Sequence, residues 1–258
     1  MPRHTQEEIV NRIVSLLKPI TPRTAARIER DVDPQYHAVA TLTHHLPPAR
    51  AAAATIAIAI TSYQLSGPGE EWWNEAAHAL TRAPEDEPVH ETLARYLPRS
   101  RNNRRLTEQK ARRLAKAAPF LLSLDTEAVH RYHRDMTSLA RDLARALDTD
   151  PGSKTVVFAV KTFGYAAREI TGEFVPYPFE VPIPVDSRIT RITRGITDED
   201  PVTFWDRVAR RAELPPLHLD TVLWLSMSPK PEVVRGLRKT SPEVARVVDT
   251  VRELLGHP

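Results

Sequence analysis

The sequence predicts an essentially all-α protein. Apolar residues recur at helical spacing along most of the chain, and no stretch of useful length alternates apolar and polar side chains. Pro, Ser, Thr and Asp also stand repeatedly where helices would begin. The 258 residues suffice for one large domain or two small ones, and the 41% apolar and 27% charged fractions are typical of a globular protein.

In the first half of the chain, helix starts are predicted from capping residues and from prolines in the first turn. These starts are Thr5, Thr21, Pro34, Pro48 and Glu70. The most apolar run, residues 51–60, has about half of the ~20 residues that a membrane span needs, so it is predicted to be a buried helix.

Residues 99–116 carry eight basic side chains and one acidic side chain. Either a solvated helix face or a strip that contacts phosphates fits this pattern.

The second half of the chain is also predicted to be helical. The helices cover roughly 125–147, 153–168, 200–212, 217–226 and 241–255, and Gly256 ends the last of them. The helix over 125–147 should bury one stripe of side chains. This stripe comprises Tyr132, Met136, Leu139, Leu143 and Ala146.

The composition excludes several kinds of chemistry. The chain has no cysteine, which removes disulfides, thiol nucleophiles and cysteine-bound zinc or iron–sulfur clusters. The pI of about 9.2 rests on arginine, since there are only seven lysines, and it permits polyanion binding without proving it. The first twenty residues are amphipathic and carry acids, unlike a signal peptide, so a cytoplasmic location is expected.

A Pro-Gly turn, Asp150-Pro-Gly-Ser153, runs directly into the helix that Lys154 begins. One side of that helix is an ordinary core stripe formed by Val156, Val160, Phe163 and Ala167. The opposite side carries Lys154, Phe158, Lys161 and Tyr165. Two lysines and two aromatics on one face fit the wall of a pocket, although a surface face with snorkelling lysine stems is the alternative.

Lys154 and Asp186 are the candidate catalytic pair. We expect Lys154 to be partly buried in the first helical turn, where burial and unpaired N–H groups disfavour an ammonium. A neutral amine can form a Schiff base, and the same N–H groups can hold a phosphate. Asp186 follows a proline-rich loop over 175–184 and is either a helix N-cap or a carboxylate that stabilises a sugar cation. One residue can do both.

A hairpin, a helix that begins with a lysine, and a proline-rich loop that ends in Pro-Val-Asp-Ser-Arg follow one another in the chain. This order resembles the helix-hairpin-helix DNA glycosylase superfamily. Other motifs look like its archaeal 8-oxoguanine DNA glycosylase family. They are Lys154-Thr-Val-Val-Phe-Ala-Val-Lys-Thr-Phe-Gly-Tyr165, the 32-residue interval from Lys154 to Asp186, Ser62-Tyr-Gln-Leu-Ser-Gly67 with Trp72-Trp73, and Asp220-Thr-Val-Leu-Trp224. The likeness extends from about Gln35 to Trp224. The hairpin departs from the superfamily by having Asp-Pro-Gly-Ser where a second glycine is common.

This resemblance implies a bifunctional enzyme that excises 8-oxoguanine from DNA and then cleaves the strand at the abasic site. Lys154 matches the nucleophile, Asp186 matches the catalytic carboxylate, and the Schiff base permits β-elimination. No metal and no cofactor is implied. The expected partner is DNA containing 8-oxoguanine, and we expect a monomer that works on the nucleoid.

The resemblance also implies the groups that bind the substrate. The base pocket would comprise Gln35, Ser62, Trp73, Phe158, Lys161, Asp220 and Trp224. Gly152 and Ser153 would contact the DNA backbone. Trp72 can exchange roles with Trp73, and each aromatic could instead be ordinary core. For Gln35 and Ser62 the alternative is helix capping or bonding to the backbone.

We expect one catalytic domain over residues 1–258, built of two lobes with the base in the cleft between them. The first lobe would comprise about 1–65 plus 186–258, and the second about 66–185, with the hairpin near 148–155. Two alternatives remain. One is a related helix-hairpin-helix glycosylase for another damaged or mismatched base, and the other is a non-catalytic helix-hairpin-helix module that binds DNA.

Overall fold

A computed structural model describes residues 6–254 of the chain, and within that range it contains helices and no β-strand. The helices are α1 (Gln6–Leu17), α2 (Pro22–Val32), α3 (Pro34–His45), α4 (Pro48–Thr61), α5 (Gly69–Thr81), α6 (Val89–Tyr96), α7 (Thr107–Leu122), α8 (Thr126–Arg134), α9 (Met136–Leu147), α10 (Lys154–Thr171), α11 (Ser187–Arg194), α12 (Pro201–Ala212), α13 (Pro216–Ser226), α14 (Pro231–Arg238) and α15 (Pro242–Leu254). The predicted cap Thr5 and the predicted stop Gly256 lie outside the described residues.

The chain divides into two compact units. The first is drawn from Met1–Asp33 and Pro176–Pro258, and the second is Pro34–Val175. The expected lobes differ from these units, because residues 34–65 belong to the second unit and residues 176–185 to the first. The reason is a long-range one that no local pattern encodes: α3 and α4 make extensive contacts with α10, far along the chain.

The centre of the second unit is the packing of α4 against α10. Every residue of α4 from Ala51 to Thr61 is buried, and its small alanines let the neighbouring helix approach closely. The hydroxyls of Thr55 and Thr61 donate to the carbonyls of Ala51 and Ala57 at 2.9 and 3.0 Å. Burial of these two polar side chains therefore leaves neither hydroxyl without a partner.

The prediction of one helix over 125–147 is wrong, because the chain bends at Asp135 (φ −134°, ψ 76°) between α8 and α9. Its Oδ1 accepts a hydrogen bond from the N–H of Ser138 at 2.9 Å, so Asp135 is the N-cap of α9. The predicted stripe is nevertheless buried from Tyr132 to Leu143. Close by, the imidazole of His133 is buried, and its Nδ1 lies 3.1 Å from the hydroxyl of Thr171.

Two loops of the second unit meet at Gly67. The N–H groups of Ser66 and Gly67 both donate to the carbonyl of Asn102, at 2.8 and 3.1 Å. A Cβ at position 67 would lie 2.1 Å from Oδ1 of Asn102, whereas at Gly69 the nearest atom would be 3.8 Å away. Only a glycine fits at position 67 without displacing the facing loop.

In the first unit, α13 packs against α2 and α15, while α1 packs against α12. The proline-rich segment contributes buried side chains to this unit, among them Tyr177, whose ring centroid lies 4.6 Å from that of His218. The imidazole of His218 also contacts the buried carboxylate of Glu29 at 2.9 Å. Over residues 6–254, no helix is long and apolar enough to cross a membrane.

Candidate active site

The turn before α10 is held by its own backbone and by one side chain. Asp148 takes the left-handed conformation (φ 51°, ψ 58°) that ends α9. Oδ1 of Asp150 accepts from the N–H of Gly152 at 2.7 Å, and the N–H of Ser153 donates to the carbonyl of Asp150 at 2.9 Å. Ser153 is the N-cap residue of α10 but makes no side-chain cap bond. Within residues 6–254 its buried Oγ has no hydrogen-bond partner.

Lys154 is the first residue of α10 and is exposed. The expectation of partial burial is therefore wrong in this structure. The preceding Pro151 and Gly152 are themselves exposed and do not cover the lysine stem. The amine can thus be reached by a ligand, and it lies in the turn whose N–H groups carry the positive end of the helix dipole.

The rest of the predicted pocket face of α10 is not a solvated surface. Lys161 is only 2% exposed and Tyr165 is fully buried, while Phe158 is half-buried. The ring of Tyr165 packs against that of Tyr36 at 5.0 Å between centroids. The alternative of snorkelling surface lysines is thereby excluded for Lys161.

The two adjacent tryptophans are both fully buried but differ in their hydrogen bonds. Nε1 of Trp72 donates to Oγ of Ser62 at 3.0 Å, and that hydroxyl donates to the carbonyl of Ile58 at 2.7 Å. Nε1 of Trp73 has no hydrogen-bond partner within residues 6–254. Its ring meets Phe158 edge to face, with centroids 6.0 Å apart. The indole N–H of Trp72 is therefore paired within the second unit, whereas that of Trp73 is buried and unpaired among the described residues.

Gln35, the remaining predicted base contact of the second unit, lies in the first turn of α3 and is 6% exposed. Together with Ser62, Trp73, Phe158 and Lys161, it belongs to the second unit. The contacts described above join Trp73 to Phe158, and they join Ser62 to Trp72 rather than to Trp73.

In the first unit, Asp186 is the N-cap of α11. Its Oδ1 accepts hydrogen bonds from the N–H groups of Arg188 and Ile189, both at 2.9 Å. Its Oδ2 accepts from Nε1 of Trp224 on α13 at 3.2 Å. Three donors from two helices thus fix the half-buried carboxylate of Asp186. The prediction that Asp186 is a helix N-cap is confirmed.

Trp224 is covered on one face by the guanidinium of Arg188, whose carbon lies 4.2 Å from the ring centroid. Asp220 lies one turn earlier on α13 and is buried. Asp220 and Trp224 were predicted to lie together in the base pocket, but the contacts of Trp224 with Asp186 and Arg188 were not predicted. Both contacts of Trp224 join residues on different helices, so no local spacing in the sequence could have indicated them.

The basic run over 99–116 is partly structural. Nη1 of Arg113 donates to Oγ1 of Thr155 at 3.0 Å, and Lys116 pairs with Asp148 at 3.4 Å. Lys110 is fully buried and donates to Asn103, and burial lowers the pKa of Lys110 to about 8. Arg113 and Lys116 therefore connect α7 to the hairpin and to the first turn of α10.

Over residues 6–254 the regular elements are all helices, and the chain has the helix-hairpin-helix DNA glycosylase fold. The AGOG family, described as N-glycosylase/DNA lyase, matches residues 14–250. The chain belongs to this family and is an N-glycosylase/DNA lyase, an enzyme of DNA repair that acts on DNA.

Named relatives agree with this assignment. The N-glycosylase/DNA lyase of Methanopyrus kandleri is 51% identical over 233 residues, covering 90% of this chain and 96% of that protein. The N-glycosylase/DNA lyase of Thermococcus kodakarensis is 44% identical over 237 residues, covering 91% and 90%. The crystal structure of the 8-oxoguanine DNA glycosylase of Pyrobaculum aerophilum, complexed with 8-oxoguanosine, matches with a TM-score of 0.81 and 27% identity, covering 94% of this chain and 96% of that one.

Proposed function

We propose that this enzyme excises 8-oxoguanine from DNA through a Schiff base on Lys154 and then cleaves the strand by β-elimination. The observation that carries the proposal is the fixed carboxylate of Asp186, held by two backbone N–H groups and one indole N–H. A carboxylate oriented in this way suits the stabilisation of positive charge on a sugar as its base departs. The related Pyrobaculum aerophilum protein, which is named for 8-oxoguanine, supports the choice of lesion.

In the proposed reaction the neutral amine of Lys154 attacks the anomeric carbon of the sugar, and the bond from that carbon to the base breaks. The base leaves with the bonding electron pair and takes up a proton, while the sugar ring opens to give the Schiff base. Loss of a proton from the neighbouring carbon then expels the 3′ phosphate. Lys154 is exposed at the start of α10, so its amine can be reached by the sugar that it would attack.

The proposed base pocket includes the polar groups of Trp73 and Ser62. 8-Oxoguanine differs from guanine by an added carbonyl acceptor and by an N–H in place of the N7 acceptor. The indole N–H of Trp73 can donate to a base. Ser62 uses its proton and one lone pair internally, so it can only accept one further bond. Gln35, Phe158, Lys161, Asp220 and Trp224 complete the proposed contacts to the flipped base, whose extrusion costs a few kcal/mol.

The proposed backbone contact lies at the start of α10. Because the N–H of Gly152 donates to Asp150, that group is used within the turn. Ser153 keeps a hydroxyl without a partner among the described residues, and its side chain does not cap the helix. The first-turn N–H groups together with the hydroxyl of Ser153 are therefore the proposed phosphate ligands.

Borohydride reduction in the presence of a duplex with 8-oxoguanine tests the proposal, because it converts a Schiff base into a stable adduct. We expect an adduct with the unaltered chain and with Lys18→Gln, which removes an exposed lysine just after α1, and none with Lys154→Gln. An adduct formed only with another lesion would favour a related glycosylase. The absence of an adduct with every lesion would favour a non-catalytic DNA-binding module.

A further inference from the structure

The first unit contains a cleft of about 760 Å³ that is rich in arginine. Its walls come from α11, α14, α15 and the segment that joins α13 to α14. Five arginines line it: Arg188, Arg191, Arg235, Arg238 and Arg252. None of the residues that line the cleft is acidic. Five like charges around one cavity repel one another, so the arrangement favours an anion.

Several of these guanidinium groups are available to a ligand. Arg191 and Arg235 are exposed and form no salt bridge within residues 6–254. Nη1 of Arg188 is buried and has no hydrogen-bond partner in the same range. Arg238 differs, because it pairs with Asp249 at 2.6 Å. At least three of the five can therefore bind an anion without giving up an ion pair described here.

The chemistry of the cleft matches a phosphodiester. A guanidinium presents its N–H donors in a planar fork that fits two phosphate oxygens, which an ammonium cannot do. Arg188 and Arg191 lie one turn apart on α11, as do Arg235 and Arg238 on α14. Two helices thus aim pairs of forks into one cleft, an arrangement that follows a row of phosphates rather than a single small anion.

The position of the cleft indicates which phosphates it holds. Arg188, on its wall, follows Asp186 by two residues and donates its N–H to that carboxylate. Its guanidinium lies over Trp224, the indole that also bonds Asp186. The cleft therefore begins one side chain away from the proposed catalytic carboxylate.

We propose that this arginine cleft binds backbone phosphates of the substrate strand beside the nucleotide that is excised. This inference rests on the proposed function and adds a second phosphate site to the one at the start of α10. Phosphate contacts position a duplex without reading its sequence. In this role the cleft sets the register of the strand against Asp186.

The salt dependence of duplex binding tests the proposal. Each phosphate contact contributes about 0.9 to the slope of log Kd against log salt. We expect Arg191→Gln combined with Arg235→Gln to lower that slope by about 1.8, the value for two lost phosphate contacts. The matched control is Arg12→Gln combined with Arg194→Gln, which removes the same charge from exposed arginines outside the cleft.

The two failures can be told apart. If the control and the cleft variant change the slope equally, the effect is one of overall charge and the cleft proposal is overturned. If the slope of the cleft variant is that of the unaltered chain, it is overturned as well. In both cases the borohydride adduct on Lys154 remains, whereas failure of the proposed function removes that adduct from the unaltered chain.

Discussion

Replacing Asp186 by asparagine separates the structural task of this residue from its proposed catalytic one. The amide oxygen of asparagine can still accept from the N–H groups of Arg188 and Ile189, which the carboxylate now holds at 2.9 Å. Asparagine also caps helices about as well as aspartate. What disappears is the negative charge near the helix dipole, worth about 0.3–1 kcal/mol. In addition, an amide NH₂ would face the indole N–H of Trp224, where Oδ2 now accepts at 3.2 Å.

The expected magnitudes follow from these contacts. With about 1 kcal/mol for the hydrogen bond lost at Oδ2, Asp186→Asn should lower the free energy of unfolding by about 1–2 kcal/mol. For a chain of this length that is a drop in Tm of roughly 2–8 °C. Asp186→Ala also loses the cap and should cost about 0.5–2 kcal/mol more. The two variants should therefore differ in thermal unfolding while both remain folded.

Their catalytic defects should be alike. We expect both variants to release 8-oxoguanine at least about 100-fold more slowly in single turnover, the scale on which a group that acts in the transition state matters. Their Kd for the lesion duplex should stay within about threefold of the unaltered value. Base release that falls only in proportion to stability, and hence far more in Asp186→Ala than in Asp186→Asn, would refute the catalytic role and leave only the cap.

Three further outcomes are expected. Trp72→Phe and Trp73→Phe remove equal volume, but only Trp72→Phe breaks a hydrogen bond. In urea unfolding, Trp72→Phe should therefore be less stable than Trp73→Phe by about 1–2 kcal/mol. Trp73→Phe should show the larger loss of affinity for the lesion duplex. Burial lowers the pKa of His133 from 6.5 to about 4, so on acidification the unfolded chain takes up this proton before the folded chain does. The free energy of unfolding should therefore be highest above about pH 6.5 and fall by on the order of 3 kcal/mol towards pH 4. His133→Gln should lack this pH dependence. Gly67→Ala should cost about 1–3 kcal/mol in thermal unfolding because its Cβ has no room, while Gly69→Ala should be neutral or stabilising; equal effects would contradict the described loop packing.

The helix starts that could be predicted are those with local causes. Asp200 accepts from the N–H of Thr203 at 3.0 Å, and Ser241 accepts from that of Val244 at 3.3 Å, as their spacing indicates. The break at Asp135 was not predicted, because the apolar spacing continues across it from Tyr132 to Met136. Within a continuous helix, an aspartate between these residues would simply face solvent. The hydrogen bond from the N–H of Ser138 to Asp135 depends on the backbone turn at that residue, which the spacing of apolar residues does not indicate.

The candidate site was predicted in its residue types more than in its contacts. The buried face of α10 follows from helical period and from the unusual mixture of lysine and aromatics. The exposure of Lys154 depends on how the hairpin packs, which the sequence does not state. Likewise, the bonds from Trp72 to Ser62 and from Trp224 to Asp186 join residues on different elements. The arginine cleft draws on three helices and was not predicted at all.

The small number of lysines has a consequence for an enzyme that works on abasic DNA, whose opened sugar is an aldehyde. Any neutral amine nearby can condense with that aldehyde, and a second lysine at the strand would cross-link the protein to its own product. Here only seven lysines exist, and Lys110 and Lys161 are buried. The cations of the cleft are guanidinium groups, which stay protonated at neutral pH and do not condense. In the proposed reaction, the guanidinium groups of the cleft would hold the strand without forming a Schiff base with it.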